Sequence, residues 1–205
     1  MTAVPLDALP RAPDARRATR DVGWWGMALL CATEASLFAS LIGSYFYLAL
    51  VPANAHWPPA GIADPALGLP LLMTALLLAS SGAFWWGERG IARGDARRLR
   101  LGLALAALLG IGFLLLQLHE YGDKLRHFGP TTHAYGALFY TITGFHGAHV
   151  AFGVLMLLYT GLRALRGHFT AARHQGVTTV GLYWHFVDGV WLVIVTSLYV
   201  SPHFY

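Results

Sequence analysis

Charge is scarce in this sequence. Asp, Glu, Lys and Arg make up 12% of its 205 residues, about half the share of an ordinary globular domain. Apolar residues make up 56%, and the mean hydropathy is +0.52. A soluble domain of this size needs far more polar surface, so a soluble enzyme is excluded, and the same composition excludes disorder, collagen and coiled coil. Cysteine is nearly missing: Cys31 stands alone inside an apolar run, which leaves no disulfide framework and no cysteine-based zinc or iron–sulfur site. Lysine is as rare. Lys124 is the single lysine among 14 basic residues, a bias that, with abundant Ala and Gly, hints at a GC-rich bacterial genome. Gly-rich phosphate loops, Ser–His–Asp arrangements and nucleic-acid patches are also lacking, so no nucleic-acid partner is expected.

What remains is long apolar runs. A spanning helix needs roughly 20 mostly apolar residues, and five stretches qualify, at about 23–51, 67–86, 101–118, 135–160 and 178–200. The first is too long for a signal-peptide core and lacks a clean cleavage site, so it reads as retained. The predicted fold class is all-α: an integral membrane bundle of five helices over 23–205, preceded by a tail over 1–22. Lys and Arg alternate between the two sides. The tail carries Arg11, Arg16, Arg17 and Arg20, the second loop Arg89, Arg93, Arg97, Arg98 and Arg100, and the fourth Arg163, Arg166 and Arg173. The other side has only Lys124 and Arg126. By the positive-inside rule this twelve-to-two asymmetry puts the N-terminus in the cytoplasm and the C-terminus outside, in the periplasm of a bacterial inner membrane. The net excess of +4 is a topology signal, with some attraction to anionic lipid headgroups. Trp24, Trp25, Trp85 and Trp86 sit at span ends, as interfacial aromatics do.

Small residues recur every four positions: Ala32, Ser36, Ser40 and Ser44; Ala75, Ala79 and Ala83; Gly102, Ala106 and Gly110. Such stripes let helix backbones approach closely and predict a packed bundle.

Two carboxylates, Glu34 and Asp188, fall well inside spans. Each costs roughly 2.5–3.5 kcal/mol at mid-helix, and such groups face the bundle interior and find partners. At about 1.5 Å per residue, Glu34 lies roughly 15 Å into the first span. Asp188 has a similar depth in the fifth, with His185 one turn away on the same face. His146 and His149 reach mid-depth in the fourth. Two acids and three imidazoles are therefore expected in one central layer. Three readings stay open on these residues. They form a buried hydrogen-bond network that fixes register, they handle protons, or they ligate haem or another metal. His146 and His185 would suit axial haem ligation on depth alone, but a third or fourth ligand for copper or zinc is not evident. Glu120 and Tyr121, after the third span, read as a solvated interface. His56, His127, His133, His168, His174 and His203 read as surface residues.

Thr143-Gly144-Phe145-His146-Gly147-Ala148-His149-Val150, taken with Leu182-Tyr183-Trp184-His185-Phe186-Val187-Asp188-Gly189-Val190-Trp191, closely resembles subunit III of the haem–copper terminal oxidases in wording, order and C-terminal placement. Thr33-Glu34-Ala35-Ser36-Leu37-Phe38 looks like that family's intramembrane glutamate, and Gln117…Glu120-Tyr121 is similar to its Gln-x-x-Glu-Tyr. The resemblance runs from about Gly23 to Tyr199 and fits the five-helix form, which lacks the first two helices of the seven-helix members. It implies a non-redox subunit of an oxygen-reducing, proton-pumping respiratory oxidase. Haem and copper would lie in partner subunits I and II, with no catalytic residue, cofactor or metal in this chain. The resemblance further implies phospholipid binding and support of subunit I stability and proton uptake. Glu34, His146, His149, His185 and Asp188 would form the proton or polar network, and Glu120, Tyr121, Trp184 and Trp191 are candidates for contact with lipid or another subunit. The alternatives are the related accessory subunit of nitric oxide reductase and, in a different class, a haem b membrane anchor. A proton-coupled transporter would show internal repeats and interrupted helices, and neither is seen.

Overall fold

The computed structural model describes residues 22–50, 57–59, 62 and 65–204. The tail, with its four arginines, and His56 lie outside these residues. Five helices long and apolar enough to cross a membrane follow in order: α1 (Val22–Leu50), α2 (Gly68–Ala92), α3 (Ala96–Lys124), α4 (Ala134–Leu165) and α5 (Gln175–Ile194). α5 continues through a π-helical turn, Val195–Val200, into a 3-10 turn, Ser201–Phe204. Pro202 accounts for the change: it offers no N–H and its ring crowds the carbonyl four residues back, so regular α-helix does not pass through it.

The helices run past the apolar stretches read from the sequence, chiefly at their polar ends. α2 reaches Ala92 rather than 86, and α3 begins at Ala96 and reaches Lys124 rather than 118. Glu88, Arg89, Arg97, Arg98 and Glu120 are good helix formers, so the helix outlasts the hydrocarbon. The α2–α3 connection is three residues, closed by a Schellman motif. Gly94, at φ +85°, donates to Ile91 O, and Asp95 donates to Gly90 O. The Asp95 side chain then caps α3 by accepting from the N–H groups of Arg97 and Arg98 at 3.1 and 3.0 Å. A turn this short forces α2 and α3 to pack as an antiparallel pair.

Their crossing is a backbone contact. A Cβ on Gly102 would stand 2.6 Å from Ala83 O and 2.8 Å from Gly87 Cα. Trp184 of α5 is the matching large residue of the core. It is fully buried and is received by glycines on two helices: a Cβ on Gly110 or Gly153 would come within 2.8 or 2.7 Å of its ring. Its Nε1–H donates to Ser80 Oγ of α2 at 3.0 Å. Two turns on, Trp191 Nε1–H donates to Thr74 Oγ1 at 3.0 Å. In this way α5 is fastened along α2 by two indoles on two hydroxyls.

Only one of the three small-residue stripes is an internal seam. Gly102, Ala106 and Gly110 are buried. Ala32, Ser36, Ser40 and Ser44 are exposed, as are Ala75 and Ala79. In a bilayer an outward Ala or Ser costs little, because each Ser hydroxyl bonds the carbonyl four residues back, so spacing alone does not say which stripe turns inward.

Candidate functional site

The expected central layer is divided among three places. On one side α1 meets α4. Glu34 Oε2 lies 3.1 Å from His149 Nε2, with both side chains mostly covered. His149 Nδ1–H donates to Phe145 O at 2.7 Å, so Nε2 is the ring nitrogen that faces the Glu34 carboxyl group. An acid inside a membrane bundle is tolerated where it faces such a partner and not lipid. Tyr183 O–H donates to the His149 carbonyl at 3.2 Å. The pair opens on a groove of about 300 Å³ lined by Leu30, Ala148, Phe152 and Tyr183.

On the opposite side α2 meets α5. Ser81 Oγ donates to Asp188 Oδ2 and lies 2.8 Å from His185 Nδ1. Asp188 is buried while His185 is exposed. Ser81 was not among the residues singled out in the sequence. Its one trace in the sequence is weak: Ser80-Ser81 is a hydroxyl pair at the depth of Asp188 in a run otherwise apolar.

His146 belongs to neither group. It is fully buried, stacked on Trp191 at 5.1 Å between ring centroids and flanked edge-on by Phe113 at 5.6 Å and Phe38 at 6.3 Å. Neither ring nitrogen has a hydrogen-bond partner among the described residues. His146 is enclosed in an aromatic box while His185 stands on the outer face, so the two do not face one another across a shared space as axial haem ligands would. Among the described residues no group of three or more His, Cys, Asp or Glu could hold a metal ion.

Glu120 and Tyr121 are not a solvated interface. Glu120 is 6% exposed, accepts from Tyr199 O–H at 3.0 Å and lies 3.6 Å from Lys124 Nζ. Lys124 in turn sits over the rings of Phe139 and Tyr199. Tyr121 is half-buried and joins a one-way hydrogen-bond chain. Gln117 Nε2–H donates to Tyr121 Oη at 3.2 Å, Tyr121 to Thr143 Oγ1 at 2.7 Å, and Thr143 to Phe139 O at 2.7 Å. These groups are drawn inward because α3 continues as helix to Lys124, which brings its last turn against α4 and the π-helical end of α5. Trp184 and Trp191, expected as lipid or subunit contacts, are buried too, since their indoles satisfy α2. His133 is likewise more than a surface residue: its Nδ1 accepts from Gly136 N–H at 2.8 Å and caps α4.

The two long sequence motifs therefore describe one packed arrangement. The fourth-helix segment supplies His149 to Glu34 and Gly147 to Gln117, where a Cβ would come within 2.8 Å of the Gln117 amide. The fifth-helix segment supplies two indoles, an acid and an imidazole to α2. The family model for cytochrome c oxidase subunit III matches residues 16–202. The chain belongs to this family. Among its relatives, cytochrome c oxidase subunit 3 of Drosophila yakuba is 39% identical over 179 residues, covering 85% of this chain and 68% of that protein. The Rattus norvegicus protein of the same name is 37% identical over the same coverage. Membership in the subunit III family makes the chain a multi-pass membrane subunit of an oxidase complex, in which subunit III is not the catalytic part. The motifs now have physical meaning in the fold, as helix-to-helix fasteners and two separate acid–imidazole groups.

Proposed function

We propose that this chain is the non-redox third subunit of a proton-pumping haem–copper respiratory oxidase in a bacterial inner membrane. Its N-terminus is cytoplasmic and its C-terminus periplasmic, and it binds subunits I and II, which carry the haem and copper. The family match carries the membership. The single structural observation that supports the role is the Glu34–His149 pair. It sets an acid against an imidazole at mid-depth and lies beside an apolar groove of about 300 Å³ between α1 and α4. That arrangement suits a subunit that accommodates phospholipid and steadies proton uptake beside a neighbour, with the oxygen chemistry done elsewhere.

The test is affinity purification of the tagged chain from the membrane in mild detergent. The expected result is recovery with a larger haem-bearing subunit, and oxygen consumption that decays faster in a complex stripped of this chain. Recovery as a homo-oligomer without haem-bearing partners would overturn the reading. Reduction of nitric oxide and not oxygen by the recovered complex would move it to the nitric oxide reductase accessory subunit.

A further inference from the structure

A separate groove of about 390 Å³ runs between α3 and α4. Leu103 and Leu157, both buried, form its floor. Ala104 and Gly161 keep it open, with the exposed Leu162 and Leu165 along its lip. A Cβ on Gly161 would meet nothing within 4 Å among the described residues. At about 100° per residue, Leu157, Gly161 and Leu165 fall on the side of α4 roughly opposite Ala148, His149 and Phe152, so this is not the groove beside the Glu34–His149 pair. From Leu165 back to Leu157 it runs about 12 Å along the helix axis, most of one leaflet of a hydrocarbon core about 30 Å thick.

One end of this groove is cationic. Arg100 lines it and stands directly before Leu101, where α3 turns apolar, while Arg166 follows Leu165 on the other wall. Arg100 Nε–H donates to Ala96 O at 3.1 Å. That bond folds the side chain back toward the start of α3 and leaves both terminal nitrogens without a partner among the described residues. No carboxylate there is free to neutralise it: Asp95, the nearest acid in sequence, is held by Arg98 at 3.1 Å. Arg97, exposed, lies one turn closer to the helix start on the same face.

We propose that this groove binds one acyl chain of an anionic glycerophospholipid, whose phosphate rests on the Arg100 guanidinium. The planar guanidinium fits a phosphate with two parallel N–H donors, and the apolar floor continues from it along the depth of a single leaflet. A zwitterionic headgroup would bring an ammonium group with no unpaired carboxylate to receive it, so the site selects net negative charge. A helix 10–12 Å across would need roughly 900–1,400 Å³ over the same length, so a helix does not sink into this groove and a single chain of methylene groups does. The proposal needs the chain to span a membrane, as its family does, and does not depend on which complex it joins.

The experiment uses the tagged full-length chain as recovered from the membrane in mild detergent, with whatever subunits it carries. Phosphatidylglycerol or phosphatidylcholine with a diazirine near the end of one acyl chain is added and irradiated, and labelled peptides are read by mass spectrometry. Phosphatidylglycerol should label the segment 157–165 several-fold more than phosphatidylcholine does. Arg100→Gln should lower that labelling about fivefold, the effect of one cationic side chain at an anionic surface, and leave phosphatidylcholine unchanged. Arg100→Lys should keep most of it. Gly161→Phe, which puts a ring into the open groove, should remove the label with either headgroup. Equal labelling by the two lipids, unaltered by Arg100→Gln, would reduce the groove to ordinary lipid contact and overturn the proposal. So would an unlabelled 157–165 segment, which would mean that another polypeptide covers the groove. The functional assignment is judged separately, by whether a haem-bearing subunit is recovered with the same tagged chain.

Discussion

Glu34 on α1 and His149 on α4 meet across 3.1 Å, through Nε2, because the second imidazole nitrogen is already committed to the Phe145 carbonyl. α1 is the most loosely attached helix of the bundle, with only Cys31, Phe38 and Tyr45 buried along its 29 residues. This pair is therefore a large part of what fixes its register against α4. Glu34→Gln keeps a donor for Nε2 and should leave the thermal midpoint of the purified complex close to that of the parent. Glu34→Leu leaves the His149 nitrogen unpaired and should destabilise by about 1–3 kcal/mol. Thermal unfolding followed with haem content and oxygen consumption checks both. Equal losses for the two variants would mean that the ionised carboxylate, and not the hydrogen bond, holds the helices.

The α2–α3 crossing offers a sharper contrast. Gly102→Ala would press a methyl group onto Ala83 O and Gly87 Cα, both backbone atoms, and neither can move aside as a side chain would. It should destabilise by about 1–3 kcal/mol through overpacking. Gly82→Ala on α2 meets nothing within 4 Å among the described residues and replaces a poor helix former with the best one, so it should be neutral or slightly stabilising. Denaturation of the two variants in the same detergent compares them directly.

Trp191 and Thr74 provide a clean pair for a double-mutant cycle, since the indole N–H reaches Thr74 Oγ1 at 3.0 Å. Trp191→Phe should cost far more than the hydrogen bond, because the indole also stacks on His146 and meets Phe113 edge-on at 4.8 Å. Thr74→Val leaves the buried Trp191 N–H without its acceptor and should cost about 1–3 kcal/mol. The coupling between the two changes should be near 0.6 kcal/mol and below about 1.7 kcal/mol, the span measured for interhelical hydrogen bonds in membranes. A coupling near zero would show that the aromatic packing alone seats α5.

The architecture was legible in the sequence because runs of apolar residues have one reading in a bilayer. Depth along each helix was legible too, since it follows from a fixed rise per residue. Rotation about the axis was not. His146 and His149 are one turn apart, yet one lies in an aromatic box and the other on the α1 seam. Glu120 looked like an interface residue because it follows an apolar run, but the partners that bury it, Tyr199 and Lys124, come from the far end of the chain and from its own last turn. Ser81 gave the weakest signal of all. A hydroxyl in a membrane helix ordinarily satisfies itself on the preceding turn, as Ser36, Ser40 and Ser44 do, so its role appears only when Asp188 and His185 are seen beside it.

The orientation of the bundle rests on charge. The α2–α3 turn and the α4–α5 connection gather Arg89, Arg93, Arg97, Arg98, Arg100, Arg163, Arg166 and Arg173, against Lys124 and Arg126 at the other end. Two features set the ends further apart. Arg89 lies over the Trp85 ring at 3.5 Å, placing a cation and an interfacial indole together at the arginine-rich end. Lys124 is half-buried on Glu120 and Phe139 and so is partly withdrawn from any surface count. With orientation set by the Lys and Arg bias of short loops, a reporter inserted between Arg93 and Asp95 should read as cytoplasmic and one fused after Tyr205 as periplasmic. Alkaline phosphatase, active only outside, and green fluorescent protein, fluorescent only inside, give opposite signals at each site and so check one another. Replacing Arg93, Arg97 and Arg100 with Gln should weaken the bias and produce a mixed population, whereas replacing Lys124 and Arg126 should not. Periplasmic activity at the α2–α3 turn together with cytoplasmic fluorescence at the C-terminus would invert the bundle. In that case the basic residues would have to serve a partner or a headgroup and not the topology.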